Sequence, residues 1–335
     1  MPRITIETEE SSYLCDQDDT LLRAALREGL GFPYECNVGS CGMCRYQLLS
    51  GTVEQLWLDA PAINPRDKKK QRMLGCQTRP TSDCRIKIRT NSVDKEIDPP
   101  KKFAAKLVKI THLTHDMAEF KFFSYTPPKF LPGQYALLNL PGVEGVRALS
   151  MSNIVNSDGY WCFIVKRVKG GKGTFWFFDR AAIGDQIIID GPYGHAWLRI
   201  NSERPIICLA GGAGIGAMLS IASGYYKNNL AQSSLRLYYG CRTSRDIIHK
   251  DYVVDTIRSS AEIIYSNIVS EPESSWTGNK GMLDRFLFES FEGKEVYKSF
   301  DYYMAGPPQM IESLRRGLII ERQVPIENIR YDQFY

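Results

Sequence analysis

Three cysteines inside nine residues, Cys36, Cys41 and Cys44, constrain this chain more than any other feature. The first ten residues carry acids and no apolar core, so a secretory leader is not expected. In a reducing compartment such clustered thiols bind metal rather than pair as disulfides. The run Cys36-x4-Cys41-x2-Cys44, followed by Cys76, has the ligand spacing of a plant-type [2Fe–2S] cluster. Zinc sites prefer paired CxxC knuckles, and only one such pair occurs here. Gly39, Ser40, Gly42 and Met43 supply a loop that can turn its amides towards sulfur. Cys84 is a rival fourth ligand, but it abuts a strand, whereas Cys76 follows a glycine in a turn. Cys15, Cys162, Cys208 and Cys241 fall in apolar runs and read as small core residues. The four histidines are scattered and no Glu-x-x-His occurs. Any oxygen chemistry therefore belongs to another protein.

A chain of 335 residues holds two or three domains. The expected organisation is a cluster domain at 1–92, a linker at 93–102, a flavin-type barrel at 103–199 and a nucleotide domain at 200–335. In the first part, Ile4 and Ile6 alternate with polar residues, and Tyr13 to Cys15 reads as a second strand. Asp18, Asp19 and Thr20 offer caps for a helix through Leu21, Leu22, Ala25 and Leu26, ended by Gly29. Tyr46–Leu49 and Arg85–Arg89 are further strands. The stretch 93–102 is charged, ends in two prolines and lacks periodicity, as a linker does. From Phe103, short β-like runs alternate with turns: Ala105–Ile110, Tyr135–Leu140, Trp161–Arg167 and Gln186–Ile189. That rhythm predicts a small antiparallel barrel. Beyond Arg204, strands at Ile206–Ala210, Leu235–Tyr239, Ile263–Ser266 and Tyr302–Met304 alternate with helices, the pattern of an open parallel α/β sheet.

The uncharged stretch from Pro205 to Tyr226 is long enough to span a bilayer, but its glycine run would break such a helix. A strand, a glycine loop and a helix explain it better, so no membrane association is expected. A net charge of +4 is too small for a dedicated nucleic-acid binder. The lone dense basic run, Lys68 to Lys70, reads as a solvated loop.

Two further constellations suit phosphate. Arg147 and Ser150 precede the run Gly170-Gly171-Lys172-Gly173-Thr174, where an arginine, a hydroxyl and glycine amides at a helix start suit a pyrophosphate. A plain glycine-rich turn would explain that run equally well. Gly211-Gly212-Ala213-Gly214-Ile215-Gly216 lies between an apolar strand and a helix, although it is not a strict GxGxxG. Arg242 and Arg245 would clamp a ribose 2′-phosphate, whereas Asp246 would repel one.

Arg147-x-x-Ser150-x-x-Asn153, preceded by Pro132-Gly133-Gln134-Tyr135, resembles the flavin-binding pattern of the ferredoxin–NADP reductase superfamily. The resemblance implies FAD, with Arg147 on its pyrophosphate, Ser150 near flavin N5, and Gly171, Lys172 and Thr174 capping a helix under the phosphates. Asn153 completes the pattern. Leu149 departs from it, standing where an aromatic residue usually covers the ring. The loops Gly211 to Gly214 and Ala305-Gly306-Pro307 resemble the two nicotinamide-side loops of the same superfamily. Ala217 and Ala305 depart from the usual proline and cysteine. Hydride transfer depends on positioning two π systems, so neither departure removes it.

The order of the three modules is similar, across the whole chain, to the reductase components of bacterial multicomponent aromatic oxygenases. The likeness is nearest to those serving carbazole dioxygenase and toluene monooxygenases. Phe32 to Cys36, Asp59-Ala60-Pro61 and the closing Asp332 to Tyr335 carry it. The resemblance tips the nucleotide to NADH. It also implies that a C-terminal aromatic, Phe334 or alternatively Tyr335, lies against the flavin. The implied activity passes hydride from NADH to FAD, then single electrons through the cluster to a terminal oxygenase (diiron or Rieske) or an intermediate ferredoxin. A monomer in the cytoplasm is expected. A desaturase or a sugar-deoxygenating enzyme is an alternative acceptor. A non-enzymatic [2Fe–2S] carrier or sensor is the reading from another class.

Overall fold

A computed structural model describes residues 1–9, 11–92, 96–228, 235–258 and 263–334. The chain divides into two compact units, Met1–Lys102 with Asp190–Pro192, and Phe103–Ile189 with Tyr193–Tyr335. The second unit holds both the barrel and the nucleotide sheet.

The first unit is built on a five-stranded sheet. Its order is Ser11–Leu14, Arg3–Ile6, Cys84–Lys87, Arg45–Ser50 and Arg72–Leu74. Arg3–Ile6 runs antiparallel to its hairpin partner and parallel to Cys84–Lys87. The period-2 pattern sends Ile4, Ile6 and Ile86 to one buried face, where Leu21, Leu22 and Ala25 of the helix Leu21–Arg27 are also fully buried. Thr20 caps that helix by accepting the Arg23 amide at 3.3 Å. Gly29, at φ +71°, ends it. This mixed sheet with one helix is a β-grasp arrangement. Residues 93–95 of the expected linker lie outside the described residues.

In the second unit a six-stranded sheet closes into a barrel. Its order is Val146–Ser150, Tyr135–Asn139, Gln186–Tyr193, Lys101–His112, Met117–Phe123 and Tyr160–Lys166. The Met151–Phe163 bridge and the 2.8 Å bond from Ser152 N to Cys162 O join the two outer strands. Phe120, Phe122, Phe163 and Trp161 fill the interior. The first strand of the chain order begins at Lys101, inside the stretch read as linker.

The nucleotide part is a wholly parallel sheet. Its order is Asn279–Lys280, Ile264–Val269, Leu235–Cys241, Ile206–Gly211, Asp301–Gly306 and Ile329–Gln333. The long uncharged run becomes the strand Ile206–Gly211, a tight turn and the helix Ile215–Lys227. Among the described residues no helix is long and apolar enough to cross a membrane. Ile206–Gly211 has later strands on both sides, so the strand order reverses there and a crevice opens at its carboxyl end.

The helix Ile215–Lys227 also ties this sheet to the barrel. Ser220 Oγ donates to Asn153 O at 2.7 Å and accepts Gly133 N at 3.3 Å. Gly224 fits because a Cβ there would lie 2.5 Å from Pro132. An edge strand, Ile329–Gln333, leads up to the terminal aromatics.

Candidate functional site

The cysteine loop gathers four thiols. The Cys41 amide lies 3.3 Å from the Cys36 sulfur, and the Cys36 and Met43 amides each lie 3.5 Å from Cys41 Sγ. Cys44 Sγ and Cys76 Sγ are 3.3 Å apart. Asn37, Gly39 and Gly42 take positive φ to turn these amides inward. Gly39 is tight as well as left-handed, since a Cβ would approach Trp57 to 3.1 Å. The neighbouring Cys41 thiol, aided by the amides of Val38, Cys41 and Ser40, pulls the Cys36 thiol down to about 5. Cys84 takes no part, because its thiol is spent on the carbonyls of Ser82 and Thr52 at 3.2 and 3.5 Å. Cys15, Cys162, Cys208 and Cys241 are buried, as small core residues are. Four convergent soft ligands ringed by amides fit a [2Fe–2S] cluster.

Arg147 and the Gly171–Thr174 run converge in the second unit. A Cβ on Gly173 would lie 2.6 Å from Arg147 Nε, so the arginine lies directly on the helix Lys172–Phe175. Among the described residues its Nη1 donates only to the carbonyls of Glu144 and Val146, both at 3.1 Å, and burial lowers its pKa. A half-buried cation without a carboxylate partner fits a pyrophosphate. Ser150 is 8% exposed and its hydroxyl has no partner among the described residues. Such an orphaned group fits a polar atom of a bound ring. Leu149 packs on the barrel core. Lys172 is exposed. Thr174 Oγ1 closes its own loop, donating towards Val168 O and Gly171 O at 3.1 Å. Asn153 is used differently from the sequence expectation. Its amide donates to Tyr160 O and accepts Cys162 N, at 2.8 and 3.0 Å, so it braces the loop after Ser150.

At the crevice, Gly214 meets the backbone of Ala305 so closely that a Cβ would lie 2.0 Å from the Ala305 oxygen. Gly211 touches Met310 and Pro307 in the same way, and Gly212 takes φ +54°. Both loops leave paired strands, with Ala210 opposite Ala305 in register. Phe334 N donates to Gly306 O at 3.0 Å, and its ring packs on the cluster that includes Ala305 and Ile215. The alternative aromatic, Tyr335, lies outside the described residues.

Two charged groups differ from their sequence reading. Asp246 turns inward, 5% exposed, and accepts from Thr243 N and Oγ1 at 2.9 Å and from Lys166 at 3.0 Å. Lys166 also lies 3.3 Å from Asp116, so one ammonium is shared by two carboxylates. Arg242 is exposed with Glu271 4.0 Å away. Glu273 has its carboxyl held low by its own amide and Ser244, with Arg245 adding its charge. Sequence reasoning passed over Glu271 and Glu273, which nothing local to the arginines marks.

Three family models match the chain: the 2Fe-2S iron-sulfur cluster binding domain over residues 4–81, the oxidoreductase FAD-binding domain over 104–197, and the oxidoreductase NAD-binding domain over 208–316. The ferredoxin–NAD(P)+ reductase of Metapseudomonas resinovorans is 34% identical, covering 96% of this chain and 96% of its own. The ferredoxin–NAD+ reductase component of the alkene monooxygenase system of Xanthobacter autotrophicus is also 34% identical, covering 96% of this chain and 98% of its own. The solved ferredoxin reductase in carbazole 1,9a-dioxygenase superposes with a TM-score of 0.92 at 32% identity, covering 100% of this chain and 98% of that one. Similarity of this degree over nearly whole lengths follows the order of the three modules, and the chain belongs to the family of ferredoxin reductases that serve oxygenase systems as electron-transfer components.

Proposed function

We propose that this chain oxidises NADH and delivers single electrons to a separate oxygenase component, or to a ferredoxin that precedes it. The observation that carries the reading is the meeting of Gly214, Ala305 and Phe334 at one crevice, in a unit that also presents the orphaned Ser150 hydroxyl and the Arg147 cation. Bound FAD would accept one hydride, which carries two electrons, and release those electrons singly, and the cluster would relay them one at a time.

The chain's own residues supply the rest. Gly211, Gly212 and Gly214 let the backbone approach the dinucleotide phosphates at the start of the helix Ile215–Lys227. Ala305, Gly306 and Pro307 border the nicotinamide. Phe334, and the aliphatic side chain of Leu149, would cover the flavin ring. Arg147, Lys172 and the amides of Gly171 to Thr174 hold the flavin phosphates. Ser150 donates to the ring, and Asn153 keeps Ser150 in place. Arg242, with Glu271 4.0 Å away, and Arg245, whose charge reaches Glu273, would face the adenosine ribose as partly compensated cations, which favours NADH over NADPH. Cys36, Cys41, Cys44 and Cys76 hold the cluster. None of the nine cysteines is in a disulfide, in keeping with a reducing cytoplasm, where we place the protein as a monomer.

Cys41→Ser separates the stations. Reduction of cytochrome c or of the oxygenase should disappear, while NADH-to-ferricyanide activity largely survives. Equal loss of both in a folded, flavin-loaded variant would contradict the order of transfer.

A further inference from the structure

Arg23 stands where a helix least favours a cation. It is the third residue of Leu21–Arg27, in the first turn, where the helix dipole favours acids and the amide ends are positive. It is also only 8% exposed. Its guanidinium has no carboxylate partner among the described residues. It donates instead from Nε to Asn37 Oδ1 and from Nη2 to Asn37 O, each at 3.1 Å. A buried cation without a counter-ion is costly. Local rules broken in this way cluster at functional sites.

Asn37 directly follows Cys36, is 1% exposed and takes φ +56°. A guanidinium only donates, so the Asn37 atom it meets at Nε is the amide oxygen, and the other end is the NH2 group. That Nδ2 is buried and has no acceptor. Beside the first cluster cysteine there is thus a cation lacking an anion and a donor lacking an acceptor. One object would answer both deficits: a compact group with net negative charge and exposed sulfur acceptors.

We propose that Arg23 and Asn37 form a buried donor pair committed to the [2Fe–2S] cluster, raising its reduction potential and its hold on iron. This rests on the reading that the four thiols carry such a cluster. Reduction adds one electron to the cluster and breaks no bond. The added negative charge meets the fixed guanidinium, so the reduced state gains more from Arg23 than the oxidised state does. Arg23 is a positioning residue here, since it acts through charge and through Asn37 rather than by ligating iron.

The test uses the full chain, reconstituted with iron and sulfide, as wild type, Arg23→Met and Arg23→Lys. The readouts are iron per chain and the cluster's midpoint potential from an EPR-monitored redox titration. Arg23→Met should shift the potential downwards and lose iron to a chelator faster, with Arg23→Lys between it and wild type. A fully loaded Arg23→Met protein with the wild-type potential overturns the proposal. If Arg23→Met takes up no iron, Arg23→Lys decides. Iron retained with a smaller downward shift supports the charge role. Iron lost from both variants, with native circular dichroism, makes Arg23 a packing residue and overturns it. Wild-type protein that takes up no paired iron would sink the cluster reading itself, a failure distinct from an unmoved potential.

Discussion

Arg147 shows how much a single residue can say in sequence and how much it withholds. Its flavin-phosphate reading came from the family resemblance, because the Gly170–Thr174 run by itself reads equally well as a plain turn. That its guanidinium would lie directly on Gly173 needed the fold. Arg147→Ala should therefore release FAD during gel filtration, by about tenfold in affinity or more if one charge-assisted contact of about 1.5–3 kcal/mol is lost. Undiminished flavin content would remove the assignment. Asn153, Asp246 and Glu271 were not legible in the same way. Each has its role set by a partner that no sequence spacing marks, Tyr160 across a turn, and Lys166 and Arg242 from further away in the chain. For the nucleotide this matters directly. If Glu271 and Glu273 hold Arg242 and Arg245 away from a 2′-phosphate, then a Glu271→Ala, Glu273→Ala double variant should raise kcat/KM for NADPH by about 3–10-fold, the scale of exposed ion pairs. NADH turnover should hardly change. An unaltered NADPH/NADH ratio would assign the preference elsewhere.

Among the elements, those with strong apolar periodicity were placed by sequence to within a few residues. Ile206–Gly211 is one: a buried strand is apolar on both faces, and the glycines after it mark where it stops. Ile329–Gln333 is the opposite case. Its residues are mostly polar, and only pairing to Asp301–Gly306 makes it a strand, with Arg330 3.7 Å from Asp301. An edge strand carries little signal of its own. The segment after Leu235–Cys241 is likewise fixed by a partner, Lys166 at the end of Tyr160–Lys166. Burial raises the Asp246 pKa, but the Thr243 amide and hydroxyl and the Lys166 ammonium more than offset it, so the carboxyl sits below its usual range. A depressed carboxyl stabilises the fold fully above its ordinary value, and that stability is lost as pH falls through the lower folded value. Asp246→Asn should cost about 1–3 kcal/mol at pH 7 in denaturant unfolding. The difference from wild type should shrink below about pH 4. A constant difference across that range would mean the carboxylate charge is not what holds the segment.

For the molecule as a whole, the logic is the conversion of paired electrons into single ones. NADH gives up two electrons together, whereas a [2Fe–2S] cluster accepts one, so a chain that couples them needs a flavin station between. A fully loaded chain should then take up three electrons, two at the flavin and one at the cluster. Anaerobic titration of the purified protein should reach full reduction at about 1.5 equivalents of NADH if both stations equilibrate. The Cys41→Ser chain, lacking the cluster, should be complete at about 1.0 equivalent, with the flavin band bleached to the same extent. The comparison separates the enzyme from a carrier that merely contains nucleotide-binding folds. In such a carrier NADH would leave the flavin band untouched at any ratio. It also separates one-chain transfer from two independent activities. If the flavin bleached while the cluster stayed oxidised after prolonged incubation with excess NADH, the cluster's potential would lie too low for NADH to fill it. The first residue to examine would then be Arg23, the buried cation nearest in chemistry to that potential.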